Sequence, residues 1–196
     1  AHFDGKLEKP RLLPGDLDQM ITTRVVRQLR AGESPRGTIR LFFVVEHHKR
    51  RRRPIKWTEA LNRALGRDTL QACPHPPRPR IRHHVTKGTH AIVVDMSQWF
   101  DQIPLADQVA LLMAFDGGTL GPCAFTRLPM GLRQSSEIAT AVMGRLLDFD
   151  PGATVAVDFA ADNVRFVGPR GDVLAAFRSF LTRCKQVGAQ INEIGA

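Results

Sequence analysis

The tightest constraint on this chain is the stretch ATVAVDFAADNVRFVG, residues 153–168. Two short β-rich runs, ATVAVDF and VRFVG, are separated only by Ala160, Ala161, Asp162 and Asn163, which read as a turn. Strands joined by so short a link pair antiparallel, because parallel pairs need a long crossover. The stretch therefore predicts a β-hairpin with an acid in its turn. A second apolar run, AIVVD over residues 91–95, is a short strand that also ends in an acid.

The other segments alternate between helical and extended patterns. Apolar residues at Met20, Ile21, Val25, Val26 and Leu29 predict a helix over 16–30, capped by Asp16 or Asp18 and ended by Gly32. GTIRLFFVVE, residues 37–46, predicts a strand. Thr58 ahead of EALNRAL predicts a short capped helix, and the proline-rich stretch 67–87 an irregular loop. Residues 107–115 fit either helix or strand. Asp116, Gly117 and Gly118 mark a tight turn, closing a hairpin with the strand candidate 120–128. Ser135 or Ser136 opens a helix to about residue 147, Asp172 caps another through 187 that Gly188 ends, and AQINEI begins a last strand. No internal repeat is present. This order predicts an α+β fold, with helices on a mostly antiparallel sheet.

Charge is unevenly spread. Residues 1–90 carry 20 basic and 8 acidic groups, a net of +12; residues 91–196 carry 8 and 11, a net of −3. A basic half beside an acidic one points to a polyanion grip next to chemistry that uses carboxylates. A solvated basic tail is the plainer alternative. At 43% hydrophobic and 24% charged, the chain is too apolar for disorder. Its 196 residues predict one domain, or part of a larger one. The start, AHFDGKLEKP, has neither an initiator Met nor a secretory segment and reads as a fragment or processed chain. Cys73, Cys123 and Cys184 lie far apart without zinc-ligand spacing, which argues against a disulfide framework and favours a reducing, intracellular setting. No apolar run approaches the roughly 20 residues of a membrane helix.

A strand-end acid and a hairpin-turn acid can meet in one sheet. Asp95 and Asp162 so placed form a carboxylate pair able to hold two divalent ions, which would stabilise the entering and leaving oxygens of an in-line phosphoryl displacement. Mg²⁺ suits such a site, since it takes few carboxylates and completes its shell with substrate phosphates. The basic half supplies a polyanion surface. Taken singly, each acid is an ordinary turn or cap residue.

Several segments then resemble, in order, the motifs of reverse transcriptases. RRRPIKWTEALN (51–62) resembles the fingers strand, with an Arg nine residues before a Leu-Asn pair. VVDMSQWFDQIPL (93–105) resembles motif A, LPMGLRQSS (128–136) the LPxG loop of motif B, and ADNVRFVG (161–168) motif C. FLTRCKQVGAQIN (180–192) resembles the helix and turn that follow motif C. Asn163 with VRFVG, and the RPIKW strand, most resemble DIRS-like retroelements and, among them, VIPER-type elements.

The resemblance implies the fingers and palm of a polymerase right hand, an antiparallel sheet backed by helices. Residues 1–90 would form a lead-in and basic fingers and 91–196 the palm with motifs A, B and C, with part of the fingers in 106–130. A thumb and an RNase H region would belong to a larger polyprotein outside this chain. The implied activity is RNA-directed DNA synthesis with two Mg²⁺ or Mn²⁺ ions. Its implied partners are an RNA template, an RNA/DNA primer duplex and dNTPs, with no membrane, in the cytoplasm or nucleus. Asp95 would bind both ions, one also through its backbone carbonyl, and Asp162 would be the other essential ligand, with Asn163 beside it in the catalytic set. Phe100 would be the steric gate against a ribose 2′-OH. Arg53 would bind the incoming triphosphate through its fork of donors. Met130 and Gly131 would border the nascent base pair, and Arg133 and Gln134 would lie near template or triphosphate. Lys49, Arg50, Arg51 and Arg52 would contact nucleic acid, although such a run also fits a solvated face or a nuclear-localisation patch. Phe100 also fits a core aromatic.

The sequence departs from the family pattern at several points. Asn163 stands where a second acid is expected, which removes one negative charge and favours tolerance of Mn²⁺. Ala160 and Ala161 replace the aromatic residue before it. Trp57 replaces an acid after the fingers Arg, and Glu59 a basic residue. Asp158 becomes the alternative acid if the hairpin register slips. A degenerate polymerase fold kept as a nucleic-acid-binding scaffold is the competing reading.

Overall fold

The structure, a computed structural model, describes residues 12, 15–46, 48, 50–65 and 89–195. The proline-rich stretch expected to be a loop lies outside the described residues, as do Lys49 and the side chain of Arg51. The chain forms two compact units: residues 1–69 with 103–135, and residues 70–102 with 136–196.

In the first unit, helix α1 (Asp16–Thr22) is followed by strand β1 (Val26–Gln28), so the helix expected over 16–30 ends early. Arg24 takes a left-handed φ of 56°. Its N–H bonds Ile21 O at 2.9 Å while Val25 N–H reaches back to Met20 O at 2.8 Å. This is a Schellman C-cap, built here on arginine rather than glycine. Beyond it, β-branched Val25 and Val26 favour extended backbone. Val26 pairs with Phe125 of β6 (Pro122–Phe125). The apolar residues that mimic one helical face are thus shared between a helix and a strand. Strand β6 also pairs with β5 (Ala114–Asp116), giving the order β1-β6-β5 and the expected hairpin. The ambiguous segment 107–115 holds all the candidate states in turn: helix α4 (Asp107–Ala110), a 3₁₀ turn (Leu111–Met113), then β5.

Strands β2 (Arg40–Glu46) and β3 (Arg51–Trp57) form an antiparallel hairpin, and helix α2 (Glu59–Ala64) follows. One core joins these elements. Met20, Val26, Ile39, Phe43, Leu61, Met113, Phe115, Phe125 and Leu132 are buried together, with the Phe115 and Phe125 rings 4.9 Å apart. Buried Lys56 places its ammonium 5.0 Å from the Phe125 ring centroid, a cation–π contact.

Arg27 grips Glu33 through two guanidinium nitrogens at 2.5 and 2.9 Å, and Arg30 N–H adds a bond at 2.7 Å. These donors, the Arg27 fork first, lower the Glu33 carboxyl from 4.5 to about 2. The folded value lies below the unfolded one, so this contribution to stability is complete above about pH 4.5 and lost as pH falls towards 2. Acid titrations followed by circular dichroism should show a shallower loss of stability across that window for Glu33→Gln than for wild type. Superimposable titrations would remove the pair from the account.

The second unit is built on a four-stranded antiparallel sheet. Its strands are β4 (His90–Met96), β7 (Ala156–Ala160), β8 (Asn163–Gly168) and β9 (Ile191–Gly195), in the order β7-β8-β4-β9. Ile92, Val94, Met96, Val164 and Phe166 form its buried face. Against this face packs helix α6 (Arg170–Val187), which buries Val173, Ala176, Phe180 and Cys184. Two further helices belong here: short α3 (Trp99–Gln102), and α5 (Ser135–Leu146), which begins at the unit boundary. Gly188, with φ 72°, ends α6 as expected.

The expected side-chain caps are absent. Gly15 and Pro169 occupy the N-cap positions of α1 and α6. Asp172 instead accepts a 2.6 Å bond from Thr154 Oγ1, and Thr58 donates to Gly131 O at 2.7 Å. Cys123 and Cys184 are free and buried, and burial pushes the Cys184 thiol up to about 11. Among the described residues, no helix is long and apolar enough to cross a membrane.

Candidate active site

The register of the β7–β8 hairpin decides which acid stands in the turn. Ala160 pairs with Asn163, so the turn is only Ala161 and Asp162, and Ala161 takes φ 54°. A left-handed alanine carries strain that the surrounding ladder must hold. Asp162 O accepts a 2.8 Å bond from Met96 N–H, which ties the turn to the end of β4. The neighbouring strand pairs Asp95 with Asn163, and on its other side β9 pairs Asp95 with Glu193. Residues paired across strands share a face. Ala160, Asn163, Asp95 and Glu193 therefore form one row across the sheet, on the face opposite buried Val94 and Met96.

Asp158 lies further down β7, paired with Arg165 in the ladder and salt-bridged to it at 2.6 Å. It is 8% exposed. In this register the internal acid is consumed by an ion pair and the turn acid is Asp162.

Asp95 and Asp162 have no cationic partner among the described residues; each accepts from a carboxamide. Asn192 Nδ2 donates to Asp95 Oδ2 at 2.8 Å, and Asn163 Nδ2 donates to Asp162 Oδ1 at 3.0 Å. Among the described residues, no cluster of three or more His, Cys, Asp or Glu could enclose a metal ion. A two-carboxylate donor set fits Mg²⁺, which dehydrates reluctantly and completes its shell with water and substrate phosphates.

Phe100 sits on α3, just past a turn in which Gln98 takes φ 42°. Its neighbour Trp99 is buried and donates its indole N–H to Ala139 O at 3.3 Å, which anchors the helix. Phe100 itself is half-buried, so the core anchor is Trp99.

The remaining candidates belong to the first unit. Arg53 is half-exposed, with Nη1 3.3 Å from Glu46. Arg52 turns inward, forming two 2.9 Å bonds to Asp16 and lying 5.2 Å from the Phe43 ring centroid. Arg50 is exposed in the β2–β3 connection with φ 48°. The 128–135 loop is held from both sides. Leu128 and Leu132 are buried, and the Ser135 hydroxyl donates to Pro129 O at 2.7 Å. Asn62 holds this loop with both ends of its carboxamide, accepting from Arg133 N–H at 2.8 Å and donating to Gly131 O at 2.9 Å, and it also donates to Thr58 Oγ1 at 3.3 Å. Gly131 has φ 103°, and a Cβ there would stand 3.2 Å from Lys56 O. Met130 is 61% exposed beside it, whereas Gln134 is buried. Thr58, Asn62 and Asn192 were not among the expected site residues. Asn62 had a signal in the Leu-Asn pair; Asn192 contacts a residue 97 positions away, which no local pattern reveals.

No protein-family model and no curated protein matches the chain. Solved structures do resemble it. The native prototype foamy virus protease–reverse transcriptase is similar at TM-score 0.71 and 17% identity, over 89% of this chain and 22% of that one. A selenomethionine-labelled CSH mutant of the same protein is similar at TM-score 0.70 and 16% identity, again over 89% and 22%. The chain thus spans about a fifth of the length of these neighbours and shares with them a reverse-transcriptase fingers/palm-like fold.

Proposed function

We propose that this chain is the fingers and palm core of an RNA-directed DNA polymerase. The observation that carries the reading is the backbone bond from Met96 N–H to Asp162 O, which sets the turn bearing Asp162 beside the end of the strand bearing Asp95, neither acid having a cationic partner among the described residues. The proposed reaction joins a primer 3′-hydroxyl to the α-phosphorus of a dNTP and releases pyrophosphate. Asp95 and Asp162 hold two Mg²⁺ or Mn²⁺ ions, which when bound stabilise charge on the attacking and leaving oxygens. Asn163 keeps the Asp162 carboxylate in place by its hydrogen bond. The Phe100 ring fills the space of a ribose 2′-OH and so selects dNTPs. Arg53 offers guanidinium donors to the triphosphate. Met130 and Gly131 border the new base pair, with Arg133 and Gln134 near template or triphosphate.

The first unit acts as fingers and the second as palm. Nucleic acid is gripped through the exposed basic hairpin, with Arg50 a phosphate contact and Arg52 a strut on Asp16. The partners are an RNA template and a primer duplex, and a thumb and RNase H region complete the machine. The resemblance of Asn163 with VRFVG, and of RPIKW, supports a DIRS-like, VIPER-type retroelement working in the cytoplasm or nucleus. Asn163 and Ala160 favour a second reading, a scaffold that binds nucleic acid without chemistry.

Primer extension by the full-length protein separates the two. We expect dNTP incorporation in Mg²⁺ or Mn²⁺; retained duplex binding with no extension in either ion would select the scaffold. Phe100→Val should keep dNTP use and admit rNTPs, whereas unchanged sugar discrimination would return Phe100 to a packing role. Arg50→Ala should weaken binding to unrelated sequences alike and lower the salt slope by about one. An unchanged slope in filter-binding titrations would make Arg50 part of a solvated face.

A further inference from the structure

Regular pairing of β9 with β4 would set residue 192 opposite Met96, on the buried face. The ladder instead runs Val93–Gly195, Val94–Ile194 and Asp95–Glu193, then jumps to Met96–Ile191. Asn192 is the extra residue of a β-bulge, a device that re-aims a side chain. Ile191 takes the position opposite Met96, and the released Asn192 amide donates to Asp95 Oδ2 at 2.8 Å.

The bulge is pinned at its start. Gln102 accepts from Gln190 N–H at 2.7 Å and donates to Gln190 O at 2.9 Å, and Ser97 N–H donates to the same oxygen at 3.0 Å. The helix that carries Phe100 therefore also fixes the strand that carries Asn192. The shift does two things at once: it sets half-buried Ile191 rather than a polar amide opposite buried Met96, and it leaves Asn192 exposed on the side of Asp95. The shift breaks the ladder of an edge strand and delivers one donor to one carboxylate.

We propose that Asn192 is the positioning residue for Asp95. Its Nδ2–H fixes the carboxylate through Oδ2 and leaves Oδ1 for a divalent ion. This inference rests on the reading of Asp95 as a metal ligand. Asn192→Leu keeps the branched shape and deletes the donor, and Asn192→Gln restores an amide on a longer arm. Mn²⁺ alone is titrated into each protein, with free ion read by electron paramagnetic resonance. Asn192→Leu should weaken Mn²⁺ binding by about tenfold, the scale of lost hydrogen bonds to metal ligands. Asn192→Gln should recover part of that loss. In full-length protein, kcat for primer extension should fall in the same order with KM for dNTP unchanged. Melting temperatures check folding, and Asn192→Ala repeats the titration if the leucine variant melts early. Mn²⁺ affinity and kcat unchanged by Asn192→Leu, while Asp95→Ala abolishes Mn²⁺ binding, would overturn the positioning role alone. Wild-type protein that takes up no Mn²⁺ would overturn the metal reading and this inference with it.

Discussion

Asp162→Ala in the full-length protein is expected to abolish primer extension, by about a thousandfold or more, while leaving duplex binding nearly intact. The size follows from removing a ligand to ions that supply several kcal/mol of transition-state charge stabilisation. Binding survives because affinity for nucleic acid comes mainly from basic groups on phosphates. Asp95→Ala should behave alike. Asp158→Ala should behave differently. That carboxylate is buried in an ion pair with Arg165, so its loss strands a guanidinium and lowers stability more than turnover. Extension that survives Asp162→Ala but disappears with Asp158→Ala would mean the hairpin pairs in another register.

Phe166→Ala should be the most damaging single change to the second unit. Phe166 is fully buried on β8, with ring centroids 5.5 Å from Phe180 and 6.1 Å from Phe177 of α6. The truncation removes the sheet's grip on its helix and leaves a cavity, at a cost of about 3–5 kcal/mol. For a unit of this size that lowers the melting temperature by on the order of 15 °C or more. The β4–β8 ladder that brings Asp95 beside the hairpin turn depends on this packing. A melting temperature within a few degrees of wild type would show that the sheet is held by other contacts.

The hairpin, the strand ending in Asp95 and the glycine that ends α6 were legible because each is fixed by nearby residues. A turn of at most four residues forces antiparallel pairing, although its register had to come from the structure, and a left-handed C-cap suits glycine. The helix expected over 16–30 misled for a physical reason. A periodic apolar pattern does not report a C-cap built on Arg24, nor a strand partner near residue 125. The cap assignments fared unevenly: Thr58 stands at the N-cap of α2 but gives its hydroxyl to Gly131 O, whereas Asp172 lies inside α6, whose N-cap is Pro169. The candidate acids, with Asn163 beside Asp162, stand out in the sequence, but the side chains that reach this region and the 128–135 loop from far along the chain do not. Asn62 and Asn192 act across long separations, and a bulge is invisible until both strands are in place. Arg52 illustrates the converse: within a run of basic residues nothing local distinguishes a strut on Asp16 from a phosphate contact.

On the proposed reading, Asp95 and Asp162 share one divalent-metal site. Anomalous scattering from crystals of the full-length protein grown with Mn²⁺ and a non-hydrolysable dNTP analogue tests it most directly. Two peaks are expected roughly 3.5–4 Å apart, each within coordination distance of oxygens from Asp95 or Asp162. Mn²⁺ density absent from both aspartates, or found only beside Asp158, would contradict it.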